Sequence, residues 1–261
     1  IPILLTKKKP PTFKRIKAMT LKNLYEASPF GIVSSFFYGT IQSALFTLLA
    51  VYATSMNFTI LEISIVTFLL AISGAISQYP IGKLSDRYDR RKVIVISTFG
   101  ASIFALFAII SSGQMYLPGE LATSKVWFFI FLILFSICSL PMFSLICAHT
   151  NDYIPKEKFV SAGAGIQFTF GLGAMSGPFL CSLFMNIVGA NGFFVFLFFF
   201  HSLIGLFGIY RMKVRKTVEN PDSQFVAMPS TITPAGIELN PITEPIEEPK
   251  KPEEILPTNN L

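Results

Sequence analysis

The feature that most constrains the fold is a short, highly charged stretch between two long apolar ones. Residues 82–92 hold seven charged side chains in eleven positions, whereas residues 63–81 and 93–113 contain no Asp, Glu, Lys, Arg or His. Charged side chains favour water, while an apolar helix of about 20 residues is long enough to cross the hydrocarbon core of a bilayer. The pattern therefore predicts two membrane-spanning helices joined by a loop, residues 82–92, that lies in water.

The composition of the whole chain agrees with a membrane protein. Hydrophobic residues make up 52% of the 261 residues and charged residues only 14%, whereas soluble domains usually carry about 25% charged residues. Six segments are long and apolar enough to span a bilayer: about 28–54, 60–82, 93–113, 125–150, 159–188 and 192–210. We therefore expect an all-α membrane protein with a six-helix bundle over residues 28–210.

The basic residues predict how this bundle is oriented. Of the 21 Lys and Arg residues, 20 lie in segments 1–27, 82–92, 151–158 and 211–261, and only Lys125 lies on the opposite side. Cytoplasmic loops carry the excess of basic residues, so we expect both termini in the cytoplasm and residues 1–27 to form a basic cytoplasmic linker. The net charge of +6 is thus a topology signal, and we predict no nucleic-acid partner.

The C-terminal region, residues 211–261, has a different composition from the bundle. Eight Pro lie between Pro221 and Pro257, and six Glu lie between Glu238 and Glu254. Such segments bury too little apolar surface to fold, so we expect a mostly disordered cytoplasmic tail, either solvated or bound to a partner. The chain also begins at Ile1 without Met, and we expect it to be a fragment or a processed piece.

The charged stretch also carries a family pattern. Residues 82–92 read G-x-L-S-D-R-x-D-R-R-K and resemble the cytoplasmic loop signature of the major facilitator superfamily of transporters. Similarity to its YcaD-like branch extends over about residues 20–240, including 148–152, 155–159, the Gly-rich fifth span, 201–212 and 225–240. The resemblance implies the C-terminal six-helix half of a transporter, joined through the basic segment 7–22 to an N-terminal half.

In this family the loop between the second and third helices belongs to a cytoplasmic gate. The resemblance implies that Asp86 faces the positive end of a helix in the other half, and a helix N-terminus does attract carboxylates. Gly82 is expected to let the backbone turn out of the helix. The alternative is a plain electrostatic anchor. The residues implied at the gate are Gly82, Asp86, Arg87, Arg90 and Arg91.

Asp89 departs from the family pattern, which usually has Gly at that position. We expect either a looser turn or an additional carboxylate–Arg pair at Asp89.

The fifth span carries small residues at regular spacing. Gly165, Thr169, Gly173 and Gly177 recur every four residues, which places them on one helix face suited to close packing. The segment from Gly173 to Gly177-Pro178 resembles the Gly-Pro motif in the fifth helix of a facilitator half.

The resemblance implies a central cavity lined by the first, second, fourth and fifth helices, with the third and sixth at the periphery. Polar side chains in hydrocarbon are costly unless they are paired or solvated, and Ser35, Tyr38 and Gln42 share one face. A hydrogen bond to a neighbouring helix is the alternative for each polar residue. The cavity candidates are Tyr38, Gln42, Gln78 and Gln167. The Phe residues of the sixth span are expected to face lipid: Phe193, Phe194, Phe196, Phe198, Phe199 and Phe200.

The residue pattern lacks the signatures of an enzyme. No nucleophile–base arrangement, metal-ligand spacing or nucleotide-binding loop is present, so we predict no catalytic residues, metal or cofactor. We expect His201 to make a structural hydrogen bond rather than to relay protons. The cysteines are expected to be packing residues: Cys138, Cys147 and Cys181.

The predicted function is secondary active transport of a small solute by alternating access. The chain would act as one half of the carrier in the bacterial inner membrane, with the N-terminal half, the solute and the lipid bilayer as its partners. The alternative is a six-helix fragment that does not transport, either a split-gene remnant or a membrane assembly protein.

Overall fold

The computed structural model describes residues 19–111, 125–215, 225–228 and 230. Within these ranges the chain is helical and contains no strand. The helices are α1 (Leu21–Ala27), α2 (Pro29–Ser55), α3 (Ile60–Arg87), α4 (Arg90–Ser111), α5 (Lys125–Ser139), α6 (Met142–Asn151), α7 (Phe159–Val188) and α8 (Gly192–Val214), with a 3₁₀ turn at Lys156–Lys158. Most of the predicted linker 1–27 and tail 211–261 lies outside the described residues.

Six helical stretches are long and apolar enough to cross a membrane. They are Pro29–Ser55, Ile60–Arg87, Arg90–Ser111, Val126–Asn151, Lys156–Val188 and Gly192–Val214. This result confirms the predicted all-α fold with six membrane-spanning helices.

The turn between α2 and α3 shows why the helices end and begin where they do. Asn57 has a positive φ of 57°, a left-handed conformation that Asn tolerates better than most residues. Thr59 then caps α3: its backbone N–H donates to Glu62 Oε2 at 2.7 Å, and Glu62 N–H donates to Thr59 Oγ1 at 3.3 Å. This capping box satisfies the first N–H groups of the helix.

The charged stretch 82–92 is not a loop, so that prediction was wrong. α3 continues to Arg87 and α4 begins at Arg90, which leaves only Tyr88 and Asp89 between them. Charged side chains do not end a helix, because Lys and Arg have high helix propensity. The Asp89 carboxylate starts α4 by accepting a hydrogen bond from Arg91 N–H at 3.0 Å, as an N-cap residue does.

The fourth predicted span is interrupted rather than continuous. α5 ends at Ser139 and α6 begins at Met142, because Pro141 has no N–H to continue the helical ladder. The hydroxyl of Tyr38 donates to the carbonyl of Leu140 at 3.3 Å. A backbone group beside the break thereby gains a partner inside the bundle, where water is scarce.

The parallel helices α2 and α7 approach until their backbones touch. A Cβ added to Gly173 would overlap the carbonyl oxygen of Phe36, and one added to Gly177 would overlap that of Thr40. The Thr40 hydroxyl donates to the Gly173 carbonyl at 3.1 Å. The small-residue face of α7 therefore packs directly on α2.

The aromatic residues of α8 are mostly buried, which contradicts the expectation that they face lipid. Phe193, Phe194 and Phe196 are fully buried, whereas Phe199 is 47% exposed. The ring centroids of Phe193 and Phe194 lie 5.3 and 5.0 Å from that of Tyr52. The prediction failed because lipid and a neighbouring helix are equally apolar environments for Phe.

α3 and α7 are the least covered of the six spans. Only 22% and 17% of their apolar stretches are buried, against 50–56% in the other four. Large apolar side chains such as Phe68 and Ile76 on α3, and Met175 and Ile187 on α7, are exposed. These surfaces require lipid or another protein to cover them.

Candidate functional site

Charged residues cluster where α3 meets α4 and where α6 and α8 end. We call this region, residues 82–92, 148–153 and 211–215, the charged end. At its centre is Arg90, which is only 6% exposed. Its guanidinium donates to Asp86 Oδ1 at 2.8 Å, to Asp152 Oδ1 at 2.7 Å and to the Ala148 carbonyl at 3.0 Å. A buried guanidinium requires such partners, so Arg90 fixes the ends of α3, α4 and α6 relative to one another.

Arg91 forms a second, separate cluster. It donates through Nε to Asp89 Oδ1 at 3.1 Å and through Nη2 to Asp89 Oδ2 at 2.8 Å. This two-point geometry matches the planar guanidinium to the carboxylate. Nη1 donates to the Arg215 carbonyl at 2.6 Å, which ties α4 to the end of α8. The carboxylate–Arg pair, one of the two outcomes expected at Asp89, is therefore present.

The remaining residues implied at the gate lie on α3. Asp86 is exposed, and its Oδ1 accepts from Arg90 and also from the backbone N–H of Phe225 at 2.8 Å. Arg87, the last residue of α3, is exposed. Gly82 does not turn the chain, because it lies inside α3, and the ring of Phe225 occupies the space that a Cβ would need. The glycine is required for a close approach rather than for a turn.

The described part of the C-terminal region packs against the bundle. Met228 is 7% exposed and belongs to the hydrophobic core. Ser144 Oγ accepts from Met228 N–H and donates to the Met228 carbonyl, both at 2.9 Å. The expectation of a solvated tail therefore does not hold for residues 225–228.

The cavity candidate Tyr38 makes a contact between helices instead, and so does Ser35, which shares its helix face. Tyr38 is fully buried, and its hydroxyl donates to Leu140. Ser35, on the same face of α2, donates to the Ile166 carbonyl of α7 at 2.9 Å. The alternative reading, a hydrogen bond to a neighbouring helix, describes both residues.

The three glutamines behave differently from these two residues. The side-chain oxygens of Gln42 and Gln167 are buried and have no hydrogen-bond partner among the described residues. Gln167 donates through Nε2 to the Ser230 carbonyl at 2.5 Å. Gln78 is partly buried on α3. The assignment of the three glutamines to a cavity stays a prediction.

The other predicted packing residues of α7 lie along the same helix as Gly173 and Gly177. A Cβ at Gly165 would meet Leu24 Cδ2 of α1 at 2.6 Å. Pro178 lies inside α7 without ending it.

His201 makes the structural hydrogen bonds that we expected. Its Nδ1 lies 2.9 Å from the Leu197 carbonyl, and its Nε2 lies 2.9 Å from Ser139 Oγ. Because a carbonyl can only accept, Nδ1 carries a proton, and in the neutral ring Nε2 then accepts from the serine. Among the residues that the structure describes, no group of His, Cys, Asp and Glu could hold a metal ion.

Sequence reasoning missed two features of this region. Pro141 was a signal for the interrupted span, and the apolar residues Phe225, Val226 and Met228 were a signal for the packed segment in the tail. Both signals are short, and the surrounding composition outweighed them.

Comparisons with known proteins identify the family. The profile of the Major Facilitator Superfamily matches residues 31–252. The uncharacterized MFS-type transporter YfkF of Bacillus subtilis (strain 168) is 26% identical over 187 residues, which cover 68% of this chain and 44% of YfkF. The uncharacterized MFS-type transporter YE1530 of Yersinia enterocolitica is 23% identical over 198 residues, 76% of this chain and 47% of that protein.

The chain spans less than half the length of these curated relatives. No solved structure matches it. Because the family profile covers most of the sequence and six helices can cross a membrane, the chain belongs to the major facilitator superfamily of membrane transporters and is an integral, multi-pass membrane protein.

Proposed function

We propose that the chain is the C-terminal six-helix half of a secondary carrier that moves a small solute by alternating access. The observation that carries this proposal is a family match to a chain with six possible spans. The region aligned with each relative covers only 44–47% of that relative's length. In carriers built from repeats, one half rocks against the other around a site near the middle of the bilayer. The proposed partner is therefore an N-terminal half, reached through the basic linker 1–27.

The exposed faces of α3 and α7 are the proposed contact surfaces for that half. They combine uncovered apolar side chains with the partly buried Gln78 and Gln167. A second six-helix bundle would cover both kinds of group, whereas lipid would satisfy only the apolar ones.

The charged end is the proposed gate. Arg90 holds Asp86 in place from α4, and Asp152 holds Arg90 from the end of α6. Asp86 therefore presents its charge at a fixed position at the end of α3, where a helix N-terminus of the other half would attract it. Arg87 is exposed and available for charged contacts across the gate.

Gln42 and Gln167 are the proposed solute-binding residues. Each has a buried side-chain oxygen without a partner in the described part of the chain, and such a group costs free energy until a donor reaches it. A solute with N–H or O–H groups would supply that donor. Gln78 is proposed to lie beside the route that the solute takes. Tyr38 instead supports the break in the fourth span through its hydrogen bond to Leu140.

The excess of basic residues supports the proposed orientation, with both termini in the cytoplasm of a bacterial cell and the bundle in the inner membrane. Of the 21 basic residues, 20 lie in segments 1–27, 82–92, 151–158 and 211–261.

The experiment is a transport assay with and without a second half. The chain alone should insert into membranes but move no solute from a pooled metabolite mixture into liposomes, and co-expression with a matching N-terminal half should give a one-to-one complex that transports. Gln42→Leu should slow that transport, whereas Ser182→Ala, at an exposed position of α7, should not. A monodisperse monomer of this chain that transports by itself would overturn the proposal.

A further inference from the structure

Residues 225–228 and 230 lie across three helices, α3, α6 and α7, beside the charged end. Phe225 N–H donates to Asp86 of α3 at 2.8 Å, Met228 exchanges two hydrogen bonds with Ser144 of α6, and the Ser230 carbonyl accepts from Gln167 of α7. The segment therefore bridges α3, α6 and α7 with specific polar contacts. A chain lying at random on an apolar face would not satisfy its own backbone in this way.

Two apolar side chains anchor the same segment. The Met228 side chain is buried in the core, while its neighbour Ala227 is exposed. The Phe225 ring rests on Gly82, where a Cβ would collide with it. Because Gly82 has no side chain, α3 leaves room there for the Phe225 ring to pack.

We propose that residues 225–228 and 230 form a built-in plug that docks on the α3–α6–α7 face and covers Ser144 and Gln167. The docked segment presents a backbone N–H to Asp86, which is the kind of donor that a helix N-terminus offers. It therefore competes with other donors for the Oδ1 atom of that carboxylate. Release of the segment uncovers the polar face of α6 and α7.

The plug also has a consequence that rests on the proposed function. If the second half supplies a helix end to Asp86, the segment and that helix end cannot both hold Asp86 Oδ1 together with Arg90 without crowding the oxygen. The segment also lies on α3 and α7, the proposed contact surfaces for the second half, so the docked segment would favour the conformation in which the two halves are apart at the charged end.

The test measures how fast a thiol under the plug reacts. In the purified full chain with Cys138, Cys147 and Cys181 replaced by Ala, Ser144→Cys provides a reporter at a position that is 1% exposed. Met228→Asp should raise its rate of maleimide labelling by about tenfold or more, because burial of one Met side chain is worth more than a tenfold step in an equilibrium. Ala227→Asp adds the same charge at an exposed position and should leave the rate within about twofold, a small change on the same scale.

A second variant distinguishes release of the segment from a general loss of packing in the protein. A chain that ends at residue 216 should label as fast as the Met228→Asp variant, and a peptide with the sequence of residues 225–230 should slow it again. Equal labelling of the parent, Met228→Asp and truncated chains would overturn the proposal, as would equal acceleration by Ala227→Asp and Met228→Asp. The assay needs neither a second half nor transport, so its failure would leave the proposed function standing.

Discussion

At the charged end, two buried guanidinium groups and three carboxylates connect the helices, whereas aromatic rings connect them at the opposite end. There Tyr52 lies among Phe128, Phe193 and Phe194, with ring centroids 5.0–6.0 Å apart. Phe58, in the α2–α3 turn, packs on Phe128 at 5.4 Å. We call this region, built from Tyr52, Phe58, Phe128, Phe193 and Phe194, the aromatic end.

The two ends differ in how easily a contact can be exchanged. A carboxylate accepts a hydrogen bond from any suitable donor, and Asp86 already takes one from Arg90 and one from Phe225. Dispersion between rings depends instead on close fit, and it is lost when a gap opens. The comparison indicates that the charged end is suited to rearrangement and the aromatic end to staying packed.

The largest expected effect is an all-or-none difference in accessibility between the ends. Ser55→Cys lies at the exposed end of α2 beside the aromatic end, and Lys156→Cys lies in the exposed turn before α7. In intact cells an impermeant thiol reagent should label the first and not the second, because the basic side is the one proposed to face the cytoplasm. Permeabilised cells should label both, and the reverse pattern in intact cells would refute the orientation and the gate together.

The next effect concerns the packing of the aromatic end. Phe194→Ala should lower the free energy of unfolding by about 3–5 kcal/mol, because it removes a fully buried ring and leaves a cavity. Thermal unfolding in detergent would measure the loss. Phe199→Ala, at a position 47% exposed, serves as the matched control and should have little effect. Similar losses for both variants would mean that ring burial does not hold this end.

A smaller loss of stability is expected at the charged end. Arg90→Ala removes the donor to the buried Ala148 carbonyl. The partly exposed Asp152 and the exposed Asp86 can turn to water. We therefore expect a loss of about 1–3 kcal/mol, the range for an unsatisfied buried group. Arg87→Ala, at the exposed end of α3, should change stability little. A loss as large as that of Phe194→Ala would show that the charged end is not the more exchangeable one.

The smallest change in stability should come from Asp86→Asn, which keeps the size of the side chain and removes its charge. A contact between a carboxylate and a helix end is worth about 0.3–1 kcal/mol, so expression should remain near normal. Transport by the two halves together should slow, and labelling at the charged end should rise. Glu157→Gln, which removes an exposed charge near the same end, should do neither. Unchanged transport and labelling in Asp86→Asn would mean that residues 82–92 act only as an electrostatic anchor.

Sequence patterns predicted the elements of the fold better than their contacts. The six spans and the small-residue face of α7 follow from hydropathy and from four-residue spacing, which are local properties. The same patterns misplaced Gly82 at a turn and Phe193 in lipid, and they treated Met228 as solvated. Each of these errors concerns a partner that is distant in sequence, such as Phe225 for Gly82 or Tyr52 for Phe193.

The sequence by itself determined that this chain is a six-span membrane protein, because bilayer thickness sets the length of an apolar helix and backbone groups in lipid must be paired within the helix. The sequence also determined that one end carries the charges. Only the tertiary structure decided that Arg90 joins Asp86 to Asp152, that Tyr38 supports the break at Leu140, and that Met228 returns to the bundle. A buried polar or apolar group takes whichever partner the fold brings within contact distance, and that choice depends on helices that pack far from one another along the chain.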